Sequence, residues 1–305
     1  IERRGINPFT DFKLMKHYKK IFQEERPDLV ITYSIKPNVY AGLVCGRMGI
    51  PFCANVQGLG TAFQKVGLAQ FVTLLYKLAF RKVCTVFFEN EANAEEFQKR
   101  NIIPVEKQKI LHGAGINLER YPYQPYPKND KIHFLYLGRI MQEKGIDELF
   151  ASVRSLHAER QDFVLDIVGF YEDDYKEQVE SLVREGIAVF HGFQENPVPY
   201  YAAADCIVLP SYHEGMSNVL LEAAAVGRPL ITSDIPGCRE AVDPGVTGIL
   251  VKVKDTESLR EAMETFLNKT YFDRALMGEA GRRRMEQIFD KTQVVKDTIQ
   301  TLGIN

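Results

Sequence analysis

Two glutamates, Glu214 and Glu222, stand on either side of a predicted helix start that follows the apolar run CIVL at 206–209. Ser217 is a residue type that favours the N-cap position, and Gly227 is one that favours a helix end. Glu214 therefore precedes the helix, whereas Glu222 lies about one turn inside it among leucines and alanines. A carboxylate in such apolar surroundings needs a hydrogen-bond partner, and sugar hydroxyl groups would provide one.

The same helix start is a candidate anion site, because its first amide groups have no partner within the helix. These amides belong to Met216, Ser217 and Asn218. The alternative interpretation is a capping turn followed by a glutamate on a helix surface. Two glutamates that flank an anion-binding helix start favour the first interpretation.

A second set of charged residues follows the apolar run IHFLYL at 132–137. Gly138 allows the backbone to approach a ligand closely, and Arg139 and Lys144 place two positive charges before a predicted helix. Arginine offers a bidentate fork and lysine a mobile point charge, so this pair suits a diphosphate. The alternative is a surface loop that carries two solvated cations.

Apolar β-branched runs alternate with helical patterns along the whole chain. The predicted strands are 29–33, 83–88, 132–137, 163–168, 206–209 and 230–232. The predicted helices are 146–160, 175–185, 218–226 and 256–267, with another that begins near Asn90. Continuous apolar strands between amphipathic helices indicate an α/β fold with parallel sheets covered on both faces. Such sheets bind ligands at the carboxyl ends of their strands, where both sets of candidate residues lie.

The spacing of Glu214 and Glu222 matches the E-x7-E signature of retaining GT-B glycosyltransferases. The companion motifs follow in the expected order: Gly138-Arg139, Glu143-Lys144-Gly145, Ile167-Val168-Gly169, His191-Gly192-Phe193 and Tyr200 to Asp205. Over residues 28 to about 290, the chain resembles glycosyltransferase family four. This resemblance implies two Rossmann-like, doubly wound parallel-sheet domains that face a cleft, with the donor bound mainly by the C-terminal domain.

The resemblance also implies roles for individual residues. Arg139 and Lys144 would hold the nucleotide diphosphate and stabilise its departing charge, while Glu214 would contact the donor sugar as the third catalytic residue. Glu222 would bond the ribose hydroxyls. The other donor-binding residues implied are Gly138, Phe193 beside the base, Gly215, Met216, Ser217 and Asn218.

No metal ion and no cofactor other than the UDP-sugar donor substrate is expected. Two cations and a helix dipole can take the charge of a nucleoside diphosphate leaving group. The acidic run Glu172-Asp173-Asp174 is the nearest candidate for a metal site, and its place at a predicted helix start explains its acidity.

The first half of the chain carries two segments, 35–42 and 55–60, that resemble a subgroup acting on polyprenyl-diphosphate acceptors. Many members of the family carry a histidine in the second segment, which has none here, so no catalytic contact is assigned to it. Gly58 and Gly60 do not extend to a dinucleotide-binding fingerprint, because Phe63 stands where the third glycine is needed. This argues against a dehydrogenase.

The segment 61–83 combines a large apolar face with the basic residues Lys65, Lys77, Arg81 and Lys82. Such a helix can lie on an anionic membrane surface, or it can be an ordinary domain helix whose apolar side is core. Residues 1–125 hold 18 Lys and Arg against 11 Asp and Glu, a net charge of +7, whereas the remainder carries −9. We therefore expect contact with the inner face of the cytoplasmic membrane and no nucleic-acid partner. The odd number of cysteines, without paired spacing, is typical of reduced thiols in the cytoplasm, where we expect the protein to lie.

The 305 residues suggest about two domains, with an acceptor-side domain over 1–126, a nucleotide-sugar domain over 127–284 and a C-terminal helix over 285–305. Three prolines within 121–130 mark the predicted linker, and the helix is expected to pack back on the first domain. Because the chain opens with Ile1-Glu2-Arg3-Arg4, we expect the first domain to lack an N-terminal piece. Five unpaired cysteines argue against a disulfide framework or a zinc site.

The sequence thus predicts a retaining glycosyltransferase that moves a hexose or N-acetylhexosamine from a UDP-sugar to a lipid-linked saccharide in surface polysaccharide or glycan biosynthesis. One alternative is a sugar-nucleotide epimerase of the same architecture, which would turn over UDP-sugar without an acceptor. Another is a non-catalytic module that only binds sugar nucleotides.

Overall fold

The computed structural model describes residues 8–59, 63 and 66–304 of the chain. It divides into two compact units, each with its own parallel sheet. The first unit contains the described residues up to Gly113 and those from Thr298 onward, and the second unit is Ala114–Asp297. The prediction of an α/β chain with two doubly wound, parallel-sheet domains is confirmed.

The first unit has a sheet of four described strands in the order β1-β2-β3-β4. The strands are β1 (Val30–Tyr33), β2 (Phe52–Val56), β3 (Val86–Phe88) and β4 (Gln108–Ile110). The helices are α1 (Pro8–Glu25), α2 (Ile35–Met48), α3 (Val66–Ala79) and α4 (Glu91–Lys99). Every residue of β2 and β3 is buried, and all of them except Asn55 in β2 are apolar.

The second unit has a sheet of six described strands in the order β10-β9-β8-β5-β6-β7. The strands are β5 (Ile132–Leu137), β6 (Phe163–Val168), β7 (Ala188–Gly192), β8 (Cys206–Leu209), β9 (Leu230–Ser233) and β10 (Gly248–Val251). The helices are α5 (Ile146–Glu159), α6 (Lys176–Arg184), α7 (Val198–Ala203), α8 (Asn218–Val226), α9 (Thr256–Leu267) and α10 (Tyr271–Ile288). A last helix, α11 (Lys291–Leu302), begins in this unit, and its residues from Thr298 onward belong to the first unit. The order reverses beside β5, because β8 pairs with one of its edges and β6 with the other. Loops at the carboxyl ends of β5 and β8 therefore lie next to each other, at a topological switch point.

The domain boundary lies earlier than the sequence predicted, between Gly113 and Ala114 rather than after residue 126. The proline-rich segment 121–127 is part of the second unit. Arg228, whose side chain is fully buried, donates from Nη2 to the carbonyl oxygens of Gln124 and Pro125 at 2.9 Å each. Proline removes backbone donors but leaves carbonyl acceptors, and these acceptors bind the guanidinium. The predicted C-terminal segment 285–305 is also divided, since its residues up to Asp297 belong to the second unit.

The described cysteines form no disulfide; Cys45, Cys53, Cys206 and Cys238 are buried, and Cys84 is exposed. Burial raises the pKa of the Cys45 thiol to about 11 and also raises that of Cys53. Within the described ranges, none of the helices combines the length and the apolar character needed to cross a bilayer.

Candidate donor site at the carboxyl edge of the second sheet

Lys144 and Glu214, predicted from separate motifs, meet at this edge of the sheet. Lys144 Nζ lies 2.5 Å from Glu214 Oε1, and the Ser211 hydroxyl donates to the same oxygen at 2.8 Å. The two charged side chains are only 17% and 14% exposed. Lys144 was predicted to bind the diphosphate and Glu214 to contact the sugar. The structure therefore joins these two predicted binding residues in one partly buried ion pair.

Backbone contacts hold the two loops that carry this pair. The Tyr212 amide donates to the Glu143 carbonyl oxygen at 2.9 Å, which ties the loop after β8 to the short 3₁₀ turn Gln142–Lys144. Gly145 has a φ of +72°, and a Cβ there would lie 2.1 Å from the Pro210 carbonyl oxygen. A residue with a side chain would force the loops apart, so this glycine sets the distance between Lys144 and Glu214.

Arg139 lies in the same loop but faces another partner. Its Nη1 is 3.5 Å from Glu172 Oε1, and its side chain is 45% exposed. The hydroxyl of Tyr136 donates to the Arg139 carbonyl oxygen at 2.6 Å, which fixes the backbone just after Gly138. Burial raises the pKa of Tyr136, and the negative charge of Glu214 adds to this effect. Sequence reasoning missed Tyr136 because an aromatic residue within a strand reads as core.

The helix start at α8 offers fewer amide groups than predicted. The Ser217 amide donates to the Gly237 carbonyl oxygen at 2.8 Å, so it is not available to an anion. Ser217 occupies the N-cap position, but its side chain makes no capping hydrogen bond. The prediction of three free amides is therefore wrong for Ser217. Among the described residues, no backbone hydrogen bond occupies the amide of Met216, which is buried, or that of Asn218, which is exposed. Gly215 lies between Glu214 and this helix start.

Glu222 lies on α8 and is half-buried, as its apolar neighbours predicted. Its partner is within the protein, because the buried Tyr201 hydroxyl donates to Glu222 Oε2 at 2.8 Å. Burial raises the pKa of Glu222, while hydrogen bonds from Tyr201 and Tyr121 and the charge of Arg120 act in the opposite direction. One carboxylate oxygen is thus committed to Tyr201.

Two aromatic rings stand at the ends of β6 and β7. Phe193 is 67% exposed and Phe170 is 44% exposed, with ring centroids 6.1 Å apart in an edge-to-face arrangement. Exposed aromatic rings of this kind can stack on a nucleobase. Phe193 was predicted, whereas Phe170 was missed; its position directly after Val168-Gly169 was the signal that could have identified it.

The Asp166 carboxylate of β6 lies between two histidines of the neighbouring strands, His133 of β5 and His191 of β7. His133 Nδ1 lies 2.7 Å from Asp166 Oδ2, and His191 Nε2 lies 2.6 Å from Asp166 Oδ1. Burial acts to raise the pKa of Asp166, but the two histidine contacts outweigh it and the net pKa is lowered. The bond to Asp166 raises the pKa of His133. This arrangement orients the residue just before Gly192-Phe193.

The acidic run Glu172-Asp173-Asp174 takes part in the fold around Arg139. Glu172 pairs with Arg139, and Asp173 Oδ2 accepts the Gln142 amide at 2.9 Å. Across the ranges that the structure describes, no group of three or more His, Cys, Asp or Glu residues is arranged to hold a metal ion.

The segments predicted to contact an acceptor lie in the first unit. Residues 35–42 form the start of α2. Asn55 and Val56 are the last residues of β2, Gln57 to Leu59 follow this strand, and Gly60 lies outside the described residues. The predicted basic helix is α3, which continues into a 3₁₀ turn over Phe80–Lys82; Lys65 is outside the described residues.

One face of α3 is buried and the other is apolar but exposed. Val72, Tyr76 and Ala79 belong to the core. The opposite face exposes Phe71 at 45%, Leu74 at 55% and Leu78 at 47%. The exposed basic residues beside it are Lys77, Arg81 and Lys82. This helix therefore contributes to the core and also presents an apolar surface, and its contact with a membrane stays a prediction.

Solved structures identify the architecture. HepE from Anabaena, in complex with UDP-glucose, superposes with a TM-score of 0.79 at 19% identity, over 96% of this chain and 81% of HepE. The chain has the GT-B fold of glycosyltransferases.

Family and sequence comparisons agree with this fold. Residues 131–269 match the family described as Glycosyl transferases group 1, and residues 1–90 match Glycosyl transferase 4-like. This chain is a glycosyltransferase that combines these two domains. It is similar to the N,N'-diacetylbacillosaminyl-diphospho-undecaprenol alpha-1,3-N-acetylgalactosaminyltransferase of Campylobacter jejuni, at 28% identity over 87% of this chain and 74% of the relative. It is also similar to the capsular polysaccharide biosynthesis glycosyltransferase CapM of Staphylococcus aureus, at 25% identity over 98% of this chain and 82% of CapM.

Proposed function

We propose that this protein transfers a hexose or N-acetylhexosamine from a UDP-sugar to a polyprenyl-diphosphate-linked saccharide, with retention of anomeric configuration, in surface polysaccharide or glycan assembly. The observation that carries the donor half of this proposal is the Lys144–Glu214 ion pair beside the start of α8. A cation and a carboxylate held side by side can bind two neighbouring parts of one nucleotide sugar: the cation binds the diphosphate and the carboxylate binds the sugar ring.

In the reaction, the bond between the anomeric carbon and the diphosphate oxygen breaks, and the electron pair leaves with UDP. Lys144 and Arg139 stabilise the charge that develops on the diphosphate, as fixed cations do best in a site that is partly closed to water. The acceptor hydroxyl attacks the same face of the sugar, and its proton passes to the departing diphosphate oxygen. Glu214 contacts the sugar ring and holds Lys144 in position before the donor binds.

Two further features support a UDP donor. Glu222 has one carboxylate oxygen bound by Tyr201, and we assign the other to the ribose hydroxyls. The exposed Phe193 ring is assigned to the uracil base. HepE, a protein of the same fold, binds UDP-glucose.

The acceptor half of the proposal is supported by the named activities of the relatives and by α3. The Campylobacter jejuni relative is named for a diphospho-undecaprenol substrate. The exposed Phe71, Leu74 and Leu78 side chains, with basic residues beside them, are suited to an anionic membrane surface on which such an acceptor lies. We propose peripheral contact with the inner face of the cytoplasmic membrane through this face.

The transfer reaction is tested with a panel of UDP-sugars and a short-chain polyprenyl diphosphate that carries one N-acetylhexosamine, with proton NMR of the product. The expected result is a new glycosidic bond with the anomeric configuration of the donor, formed equally well in excess EDTA. An inverted product would contradict the mechanism. UDP-sugar turnover without acceptor would indicate an epimerase, and UDP binding without any turnover would indicate a binding module.

Membrane contact is tested by co-sedimentation with vesicles of phosphatidylglycerol and phosphatidylcholine. Replacing Phe71 and Leu74 by serine should abolish sedimentation with anionic vesicles. Val105→Ser is the matched control, because Val105 is 58% exposed in the same unit but outside α3. Equal sedimentation of all three proteins would contradict a role for α3.

A further inference from the structure

A second cluster of polar side chains, which the donor site does not use, lies at the carboxyl edge of the first sheet. Ser34 follows β1, Gln57 follows β2 and Glu89 follows β3. These strands are neighbours in parallel register, so the three residues lie side by side. Ser34 Oγ is 3.5 Å from Gln57 Oε1, and the Gln57 side chain hydrogen-bonds the Glu89 carboxyl.

The backbone at Ser34 is strained. Its φ of 71° and ψ of 160° place it in a region that is occupied almost only by glycine. A serine kept in this conformation costs folding free energy, and such strain concentrates at ligand-binding and catalytic sites. The strained residue also begins α2, because the Asn38 amide donates to its carbonyl oxygen.

Glu89 is a buried carboxyl group without an ion-pair partner among the described residues. It is 9% exposed, and burial raises its pKa to about 7, with only Gln57 acting in the opposite direction. A carboxyl group in such surroundings is destabilising unless something binds it.

Buried asparagines lie around this edge, and some of their side-chain atoms make no hydrogen bond of normal geometry. Asn38, Asn55 and Asn93 are between 1% and 8% exposed. Asn38 Nδ2 donates to the Asn55 carbonyl oxygen at 2.8 Å, but Asn38 Oδ1 and Asn93 Nδ2 have no hydrogen-bond partner of normal geometry. The Asn38 side chain also contacts the hydroxyl of Tyr76, a core residue, so this asparagine is satisfied within the protein. Buried polar atoms are usually satisfied, and Asn93 Nδ2 is an atom that a polar ligand would satisfy here.

The side chains that follow β1, β2 and β3 at this edge are a hydroxyl, an amide and a carboxyl, which hydrogen-bond a neutral sugar ring. His112 follows the neighbouring strand β4 and is the other titratable side chain at this edge. Lys36 is the nearby cation in α2, and it is paired with Asp11 at 3.5 Å. Asp11 also accepts the Tyr40 hydroxyl at 2.7 Å, so this pair belongs to the packing of α1 on α2.

We propose that Ser34, Gln57 and Glu89 form the binding site for the sugar of the acceptor, and that the Glu89 carboxylate accepts a hydrogen bond from one of its hydroxyl groups. This inference rests on the proposed function, since it assigns the saccharide that the donor sugar joins. It differs from the proposed membrane contact, which concerns the lipid.

The consequence is that acceptor binding changes with pH around neutrality. Above its pKa, Glu89 is a carboxylate and accepts a strong, charge-assisted hydrogen bond from a sugar hydroxyl. Below its pKa, the neutral acid binds the same hydroxyl less strongly. The affinity for the acceptor should therefore rise between pH 6 and pH 8.

The test is isothermal titration calorimetry of the whole protein with two probes, at pH 6 and pH 8. One probe is a short-chain polyprenyl diphosphate that carries one N-acetylhexosamine, and the other is the same lipid diphosphate without sugar. At pH 8, Glu89→Gln should bind the sugar-bearing probe about 10- to 100-fold more weakly, which is the range for a hydrogen bond to a charged group. The affinity of this variant for the bare lipid diphosphate and for UDP should be unchanged. Its affinity for the sugar-bearing probe should not vary with pH.

Glu91→Gln is the matched control, because it removes the same charge two positions away at an exposed site. Gln57→Ala, at an exposed residue, should weaken the sugar-bearing probe to a smaller extent. Correct folding of Glu89→Gln is checked by thermal unfolding. At pH 8 the variant should unfold at a higher temperature than the wild type, because it no longer buries a carboxylate.

An unchanged affinity of Glu89→Gln for the sugar-bearing probe would overturn the inference, as would an equal loss for both lipid probes. These results would leave the proposed function intact if the wild type still transfers sugar. Conversely, a wild type that binds the sugar-bearing probe through Glu89 but transfers no sugar would refute the proposed function and not this site.

Discussion

The Lys144–Glu214 pair allows stability and donor binding to be separated by two substitutions. Two unit charges about 4 Å apart attract by about 4 kcal/mol at an effective dielectric constant of about 20. Because both side chains are mostly buried, desolvation offsets part of this attraction. We expect Lys144→Met to lower the free energy of unfolding by about 2 kcal/mol, since it leaves the Glu214 carboxylate with Ser211 alone.

Glu214→Gln in the Lys144→Met background should recover most of that loss, because it removes the uncompensated charge. UDP affinity behaves differently. Both variants that lack Lys144 should bind UDP about 10- to 100-fold more weakly, or about 1.5–3 kcal/mol, the value of a charge-assisted hydrogen bond. Glu214→Gln alone should bind UDP at least as well as the wild type, because it releases Lys144, while its transfer rate falls.

The measurements are urea unfolding and calorimetry with UDP on the wild type, the two single variants and the double variant. Additive effects on the free energy of unfolding would refute the ion pair as an energetic unit. Normal UDP affinity in Lys144→Met would refute its assignment to the diphosphate. Normal turnover in Glu214→Gln would reduce Glu214 to a loop-forming role.

Three further predictions concern the surroundings of this pair. Glu222→Gln should weaken UDP about tenfold but leave 2′-deoxy-UDP unaffected if Glu222 binds the ribose 2′-hydroxyl, and an equal loss for both nucleotides in calorimetry would exclude that contact. Phe193→Ala should weaken UDP by about 1–3 kcal/mol without changing the melting temperature, because the ring is exposed; a lowered melting temperature would indicate a packing role instead. The pKa of His133 is raised in the folded protein, so its protonated form stabilises the fold fully below the unfolded histidine pKa of 6.5, and this contribution is lost as pH rises through the raised value. The pKa of Asp166 is lowered, so its carboxylate stabilises the fold above the unfolded value of 3.8, and this contribution is lost as pH falls through the lowered value. His133→Asn should therefore destabilise the protein more at pH 5.5 than at pH 8 in urea unfolding, and a pH-independent difference would contradict this linkage.

The parallel strands were predictable because burial on both faces produces mainly apolar runs, in which His133 of β5 and Asp166 of β6 are polar exceptions. The predicted strands 132–137, 163–168 and 206–209 coincide with β5, β6 and β8. The sequence did not predict β7 and β10, since both have partly exposed residues and read as loops. The end of the first unit was also missed, because proline-rich segments are typical of linkers and here the segment is fixed by a buried arginine far along the chain.

The donor site was predictable as a set of residues but not as a set of contacts. Spacing placed Arg139, Lys144 and Glu214 at strand ends, and the topology then determined which loops are neighbours. That Lys144 meets Glu214 while Arg139 meets Glu172 depends on side-chain geometry that no spacing encodes. The Ser217 amide was lost to Gly237, a residue from another loop, for the same reason.

The buried guanidinium of Arg228 has a practical meaning for anyone who wishes to express the donor half by itself. A gene fragment that starts at residue 127, where the prolines suggest a cut, would delete the Gln124 and Pro125 carbonyl groups that accept from Arg228. It would also delete Ile116, whose amide and carbonyl groups pair with Phe289 and Lys291. An open reading frame that begins at Ala114 is thirteen codons longer and keeps both sets of bonds. The shorter fragment would leave the buried Arg228 guanidinium without these carbonyl acceptors.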